Sequence, residues 1–278
     1  MFKIARVGKY LWEEPVISGD RGSGTIFFSG CTMKCVYCQN YEISHGNKGI
    51  EISEDKLVRL MLWLQDSGAH NINLVTPSRY AISLAGALES AKSQGLVIPV
   101  VYNTSAYERV EVLRPLQGLV DIYLPDMKYV DNALGKRLSC VPNYFEVASE
   151  AIREMRRQQP NDIFDGDFMM QSGVIVRHLI LPTHADDSKK VLDFIANVDK
   201  SLYVSVMGQY FKTLWIEEQK EKFPELQNRL AQSEYDEVME HFFDIDLVNG
   251  FSQELDSSTE DYVPSFDLGE LQTLLNSI

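Results

Sequence analysis

Along this chain, short apolar runs of strand type alternate with stretches whose apolar residues recur at helical spacing. Gly24-Thr25-Ile26-Phe27-Phe28-Ser29 reads as a first strand. Leu57, Leu60, Met61 and Leu64 then share one face of a helix over 54–65, with Ser53 as its N-cap and Gly68 just past its end. Residues 71–75 read as a second strand and 80–94 as a second helix, stopped at Gly95. The rhythm continues through a strand over 98–102, a weak helix over 107–116 and a strand over 120–124. A long helical stretch split near Pro142 follows, then a strand over 173–181, a helix over 188–197 and a sixth strand over 202–206.

Strand, helix and strand at this spacing imply parallel pairing through right-handed crossovers. Six such units, without an evident eighth, predict an α/β fold: a partial (β/α)6 barrel of parallel strands. No flexible linker interrupts the chain, so a single domain over 1–278 is expected, with a core of about 22–206. Past Val206 the pattern changes. Residues 233–243 read as a helix and 249–253 as a strand or a turn, so 207–278 is expected to be a C-terminal extension packed on the barrel.

Composition narrows the function. With 278 residues, 45% of them hydrophobic, the chain can bury a sizeable core. No run of eighteen apolar residues exists, and Met1 to Arg6 lacks the apolar stretch of a signal peptide, so the expectation is a cytoplasmic protein with no membrane partner. A net charge of −14 without a basic stripe argues against nucleic acid as a partner, since phosphate neutralisation needs clustered Lys and Arg. The surplus acid, densest at Glu217-Glu218 and from Glu254 to Asp261, reads as solvated surface.

The cysteines sharpen the picture. Three of the four fall in Gly30-Cys31-Thr32-Met33-Lys34-Cys35-Val36-Tyr37-Cys38, a Cys-x3-Cys-x2-Cys loop that directly follows the first strand. In parallel α/β architectures the C-terminal ends of the strands are where loops converge on the chemistry. Thiolates are the ligands that iron–sulfur clusters require, and three of them leave one iron of a 4Fe–4S cluster open to a substrate or cofactor. The alternative is a zinc site of the three cysteines plus His45, although structural zinc draws on paired Cys-x2-Cys units. Cys140 has no local Cys partner and reads as a buried structural thiol. Arg177 lies inside the apolar run Val174-Ile175-Val176-Arg177-His178-Leu179. A guanidinium there needs an anion, either a bound carboxylate or a protein acid such as Asp126. His178 and His184 read as core or surface residues, and Gly22-Ser23-Gly24 precedes a strand where a phosphate loop would open a helix.

At the cysteine loop the sequence resembles the radical S-adenosylmethionine (SAM) superfamily, and within it the branch like pyruvate formate-lyase-activating enzyme. The likeness extends to Trp12-Glu13-Glu14-Pro15, to residues 22–31, to Ala69-His70-Asn71-Ile72-Asn73-Leu74-Val75-Thr76-Pro77, to residues 174–179 and to 249–256. It implies an oxidoreductase in which Cys31, Cys35 and Cys38 hold a 4Fe–4S cluster and SAM is cleaved to a 5′-deoxyadenosyl radical. That radical abstracts hydrogen from a substrate, by analogy a glycyl-radical enzyme or another polypeptide. An electron donor such as flavodoxin or ferredoxin is implied as a partner. Tyr37 fills the aromatic position before the last cysteine, near the adenine, or simply covers the cluster. Asp126 and Lys128 match a cofactor-contacting Asp-x-Lys, and Arg177 a cofactor-contacting Arg; without the resemblance, Asp126 and Lys128 read as an ordinary exposed pair. Three positions depart from the pattern. Thr76-Pro77-Ser78 stands where Gly-Gly-Glu would hold the cofactor's amino group. Asn103, followed by Thr104-Ser105, replaces an Asp, and Gln209 replaces a His. Asn103, Ser105 and Gln209 then offer neutral polar contacts to SAM. The Cys-rich segment of many relatives has no counterpart before the barrel, so no second cluster is expected. No side chain is assigned to the chemical step itself, and a non-catalytic iron–sulfur or zinc module for binding or electron transfer is the alternative from another class.

Overall fold

The computed structural model describes residues 1–253 and 265–278. Its strands are β1 (Phe2–Tyr10), β2 (Ser23–Phe28), β3 (Ile50–Ile52), β4 (Ile72–Val75), β5 (Val100–Thr104), β6 (Ile122–Pro125), β7 (Ile163–Phe164), β8 (Met170–Leu179), β9 (Tyr203–Met207) and β10 (Gly250–Gln253). Among the described residues they form one sheet in the order β10-β9-β8-β6-β5-β4-β2-β1-β3, with β7 beside β8. From β2 to β10 along that path every pairing is parallel. The fold is therefore the α/β, mostly parallel partial barrel that the alternating pattern predicts, with the six anticipated strands present.

The helices Glu54–Asp66, Ala81–Ser93, Tyr144–Gln158 and Ala185–Val198 are the crossovers. Ser53 caps the first of them by accepting a hydrogen bond from the Lys56 N–H. The weak helix over 107–116 shrinks to Val110–Leu113, because Pro115 supplies no N–H to continue it and Arg114–Leu116 tightens into a 3₁₀ turn. The segment left open between strand and turn at 249–253 is β10, a seventh parallel strand on the free edge of β9. In front of the first anticipated strand lies β1, antiparallel to both β2 and β3. No helix among the described residues is long and apolar enough to cross a membrane.

Alternation along the strands splits the core into separate clusters. Ile72, Leu74, Val100, Tyr102, Tyr123, Val174, Val176, Val204 and Val206 join the helices in the larger cluster. Val101, Ile122, Leu124 and Ile175, one residue out of phase, form a separate inner cluster with Met170. The short helix Pro15–Ser18 supplies the rest of that inner cluster through Val16 and Ile17, so it plugs the barrel interior. Asn71 holds the plug by donating to the Ile17 carbonyl at 2.7 Å. Gly19 ends it at φ 48°, where a Cβ would stand 2.6 Å from His70 Nε2, so the turn admits only glycine.

Candidate functional site

The loop after β2 is pinned before it reaches the thiols. Gly30 turns at φ 83° with the Arg79 side chain packed where a Cβ would lie, and its N–H donates to the Ile43 carbonyl. The N–H groups of Lys34 and Val36 donate to the carbonyls of Ser139 and Leu138, at the end of the helix Asn132–Ser139. That clamp brings hydrogen-bond donors to all three sulfurs. Ser139 Oγ donates to Cys35 Sγ at 3.0 Å, Ser44 Oγ to Cys38 Sγ at 3.2 Å, and the Met33 N–H to Cys31 Sγ at 3.4 Å.

Burial, together with the neighbouring Cys35, raises the Cys31 thiol and pushes Cys38 up to about 12. Thiols so placed become thiolates when a cationic centre displaces their protons. Among the described residues no three His, Cys, Asp or Glu side chains converge on a single metal ion. The ligands of a cubane cluster bind different irons, so three thiols lining one cavity fit that group. His45 does not line the cavity; its ring stacks on Tyr41 at 4.3 Å, with Nδ1 3.0 Å from Ser44 Oγ. Cys140 is exposed, contrary to the buried thiol expected. It caps the helix Asn132–Ser139 in a left-handed conformation, φ 58°, which turns its side chain away from the core.

The cavity, of about 260 Å³, lies at the C-terminal ends of the parallel strands. It gathers the residues that the resemblance assigns to the cluster and to SAM: the three cysteines, Tyr37, Asn103, Ser105, Asp126, Lys128, Arg177 and Gln209. Arg177 is spread over three partners. Nε donates to Asp126 Oδ1 at 2.9 Å, Nη1 to Glu13 Oε2 at 3.2 Å and Nη2 to Asn103 Oδ1 at 2.7 Å. Lys128 Nζ donates to Asp126 Oδ2 at 2.8 Å. Burial alone would raise Asp126, but the charges of Arg177 and Lys128 outweigh it and hold the carboxyl below the usual range. Lys128, by contrast, is raised: its burial penalty is overcome by Asp126 and then by Cys35, with which it lines the cavity.

Tyr37 is buried with its hydroxyl 2.5 Å from that of Tyr129, which lies 2.9 Å from Ser139 Oγ, so a chain of hydroxyls leads to Cys35. Gln209 donates to Gln253 at the end of β10. His178 is buried on the helix-facing side of β8, its Nδ1 2.7 Å from the Met127 carbonyl, and burial pushes it down to about 4. Neither His178 nor His184 lines the cavity.

Two carboxylates of the cavity had no role in the sequence reading. Glu13 receives hydrogen bonds from Asn73 Nδ2 at 3.1 Å and Asn103 Nδ2 at 3.4 Å besides the Arg177 contact. Burial pushes it up to about 7, with Arg177 opposing and Glu14 reinforcing the rise. Glu14 is 3% exposed, and its Oε2 has no hydrogen-bond partner among the described residues. Ser105 Oγ and Asn40 Oδ1, also on the cavity, are buried without a partner as well. In sequence the pair stood within Trp12-Glu13-Glu14-Pro15, one of the runs that carry the resemblance, directly before the apolar Val16-Ile17 at the start of the plug, and no role was read from it.

A family model described as the Radical SAM superfamily matches residues 25–195. Over 239 residues the chain is 32% identical to an uncharacterized protein of Methanocaldococcus jannaschii, covering 81% of this chain and 64% of that protein. The chain thus spans less than two thirds of the length of this curated relative. Two solved structures share the fold at 12% identity. SuiB of Streptococcus suis, bound to S-adenosylmethionine, superposes with a TM-score of 0.53 over 81% of this chain and 45% of that one. HydG, a maturase of the FeFe-hydrogenase, gives a TM-score of 0.52 over 89% and 61%. The family match covers more than half of the sequence and contains the Cys-x3-Cys-x2-Cys loop; the chain belongs to the radical SAM superfamily.

Proposed function

We propose that this radical SAM enzyme abstracts hydrogen from a polypeptide, in the manner of the activating enzymes of glycyl-radical proteins. One observation carries the reading: three hydrogen-bonded thiols share a single cavity with the half-buried Asp126–Lys128–Arg177 ladder. An electron-transfer module has no use for such a polar wall. Cys31, Cys35 and Cys38 would hold the 4Fe–4S cluster, and the Ser44 and Ser139 hydroxyls orient two of the sulfurs. When bound, the cluster and SAM supply reductive cleavage of the sulfonium to a 5′-deoxyadenosyl radical. Asp126, Lys128 and Arg177 offer an acceptor and two cations to the amino, carboxylate and ribose groups of SAM. The Ser105 hydroxyl, Asn103 and Gln209 would add neutral contacts.

A polypeptide substrate is supported by the surroundings of the opening. Trp12 lines the cavity yet is 52% exposed, and Tyr41, next to the cavity-lining Asn40, stacks on Trp215. Aromatic anchors of this kind hold extended chains. Flavodoxin or ferredoxin is the proposed electron donor. The segment from Phe251 to Phe266, polar yet punctuated by Phe251, Tyr262, Val263 and Phe266, is the proposed border of the opening that shapes substrate entry; its residues 254–264 lie outside the described residues. The flanking Phe251 and Phe266 are packed against Tyr203 and Phe27.

The test is anaerobic reconstitution followed by reduction in the presence of SAM. The wild type should show the broad visible absorption of a 4Fe–4S cluster, a change in its electron paramagnetic resonance signal on adding SAM, and 5′-deoxyadenosine by mass analysis. Cys31→Ala should abolish the absorption. Arg177→Lys, which keeps a charge but not the fork, should keep the iron and weaken SAM binding tenfold or more. A colourless, zinc-loaded protein would overturn the reading, and unchanged SAM binding in Arg177→Lys would make that residue purely structural.

A further inference from the structure

The wall of the cavity carries three carboxylates, Glu13, Glu14 and Asp126, against two cations, Lys128 and Arg177. The two cations are spoken for. Lys128 pairs with Asp126, and Arg177 with Asp126 and Glu13. Glu14 makes no ion pair among the described residues, and one of its carboxylate oxygens is buried without any donor. A buried carboxylate in that condition is costly, and a donor or cation brought from outside relieves the cost. It is fixed where it stands: Glu14 is the residue that opens the plug helix, and its carbonyl accepts from the N–H groups of Ile17 and Ser18.

We propose that Glu14, with Glu13 beside it, forms a subsite on the cavity floor for a cationic group of the substrate, an ammonium or guanidinium such as a lysine or arginine side chain presents. This rests on the polypeptide reading above and names the chemistry of the segment that enters. The two ends of the cavity differ. The thiol end runs from Cys35 through Ser139 Oγ to the hydroxyls of Tyr129 and Tyr37, whereas Glu13 and Glu14 stand at the start of the plug, with Glu13 held by Arg177, Asn73 and Asn103. An ammonium docked on Glu14 would gain a charge-assisted hydrogen bond of the strong class. Seated on the plug, it would hold the substrate chain at the depth to which the barrel interior is open.

The probe is n-butylammonium, compared with n-butanol of the same length, titrated into cluster-loaded wild-type protein with and without SAM and followed by calorimetry. The wild type should bind the amine at least tenfold more tightly than the alcohol, whether or not SAM is present. Glu14→Gln, which keeps the shape and removes the charge, should lose that preference while SAM affinity stays within twofold. An absence of preference in the wild type overturns the subsite without recourse to any variant. If Glu14→Gln instead weakens SAM tenfold and the amine competes with SAM, the carboxylate serves the cofactor's own ammonium and the substrate assignment falls. Failure to load a cluster or bind SAM tells against the radical reading and is seen before the amine is added.

Discussion

At the scale of single residues, Glu13 has a measurable signature. Its carboxyl faces Arg177, Asn73, Asn103, Glu14 and Asp126, and burial wins, pushing its pKa up from 4.5 to about 7. The folded protein therefore binds this proton more readily than the unfolded chain. The stability it contributes is present below pH 4.5 and is lost as pH rises through 7. Glu13→Gln removes that loss. Urea melts at pH 5 and pH 8 should show the variant gaining on the wild type by up to about 3 kcal/mol across the window, since a tenfold change in proton affinity is worth about 1.4 kcal/mol. Parallel pH profiles would mean that Glu13 is ionised throughout and balanced by Arg177. The cysteines and Arg177 were legible in sequence because each breaks its context: a thiol cluster in one loop, a guanidinium in an apolar strand. Glu13 and Glu14 are two adjacent acids between Leu11-Trp12 and Pro15-Val16-Ile17, in a stretch too short to carry a period, and only its folding into the barrel brings both to the cavity and gives Glu13 its partners.

At the scale of elements, the period of two along β4, β5, β6 and β8 decides what each face meets. The outward residues were easy to read as core. The inward ones mix Asn73, Asn103 and Arg177 with Val101, Ile122 and Ile175, because a polar layer lies over an apolar one. The apolar layer is completed by a helix of four residues, Pro15–Ser18, too short to carry a periodic signal of its own. β10 was ambiguous for the same reason: Gly250-Phe251-Ser252-Gln253 is short and half polar, and only the free edge of β9 makes it a strand. The plug can be tested by Ile17→Ala. Ile17 is fully buried in the inner cluster, so the cavity left behind should cost about 2–4 kcal/mol in a denaturant melt. Iron content after reconstitution should stay at the wild-type level, because the thiol loop hangs from Ile43 and the helix Asn132–Ser139. A cost under about 1 kcal/mol, the size of a surface change, would show that the plug is loosely seated.

At the scale of the whole molecule, the alternation of strand and helix made the barrel legible, while its two ends were legible only in part: the helix over 233–243 stands at Gln232–Asp244, but β1 was not anticipated. β1 adds an antiparallel edge before the first anticipated strand, and 207–278 departs from the repeating unit, so neither follows from the crossover rule. The structure joins both to the core. Tyr210, Ile216, Phe223, Leu226, Leu230, Val238, Phe242, Leu247, Leu271 and Leu275 all belong to the large cluster, in contact with side chains of the barrel. His241 of the helix Gln232–Asp244 pairs with Asp193 of Ala185–Val198 at 2.8 Å. At the other end of the sheet, Lys56 donates to the carbonyls of Leu275 and Ile278, which ties the last helix, Leu268–Ser277, to the helix Glu54–Asp66. Fully burying one large apolar side chain is worth about 1.5–3 kcal/mol, against a net stability of about 5–15 kcal/mol for a whole domain. Ten such side chains cannot be removed and leave a folded remainder, even after allowing for burial among themselves. A chain ending at residue 206 should therefore lose its near-ultraviolet circular dichroism, bind a hydrophobic dye and fail to retain iron. A cooperative melt within a few degrees of the full chain would show instead that 207–278 is an appendage and that the six-stranded barrel stands alone.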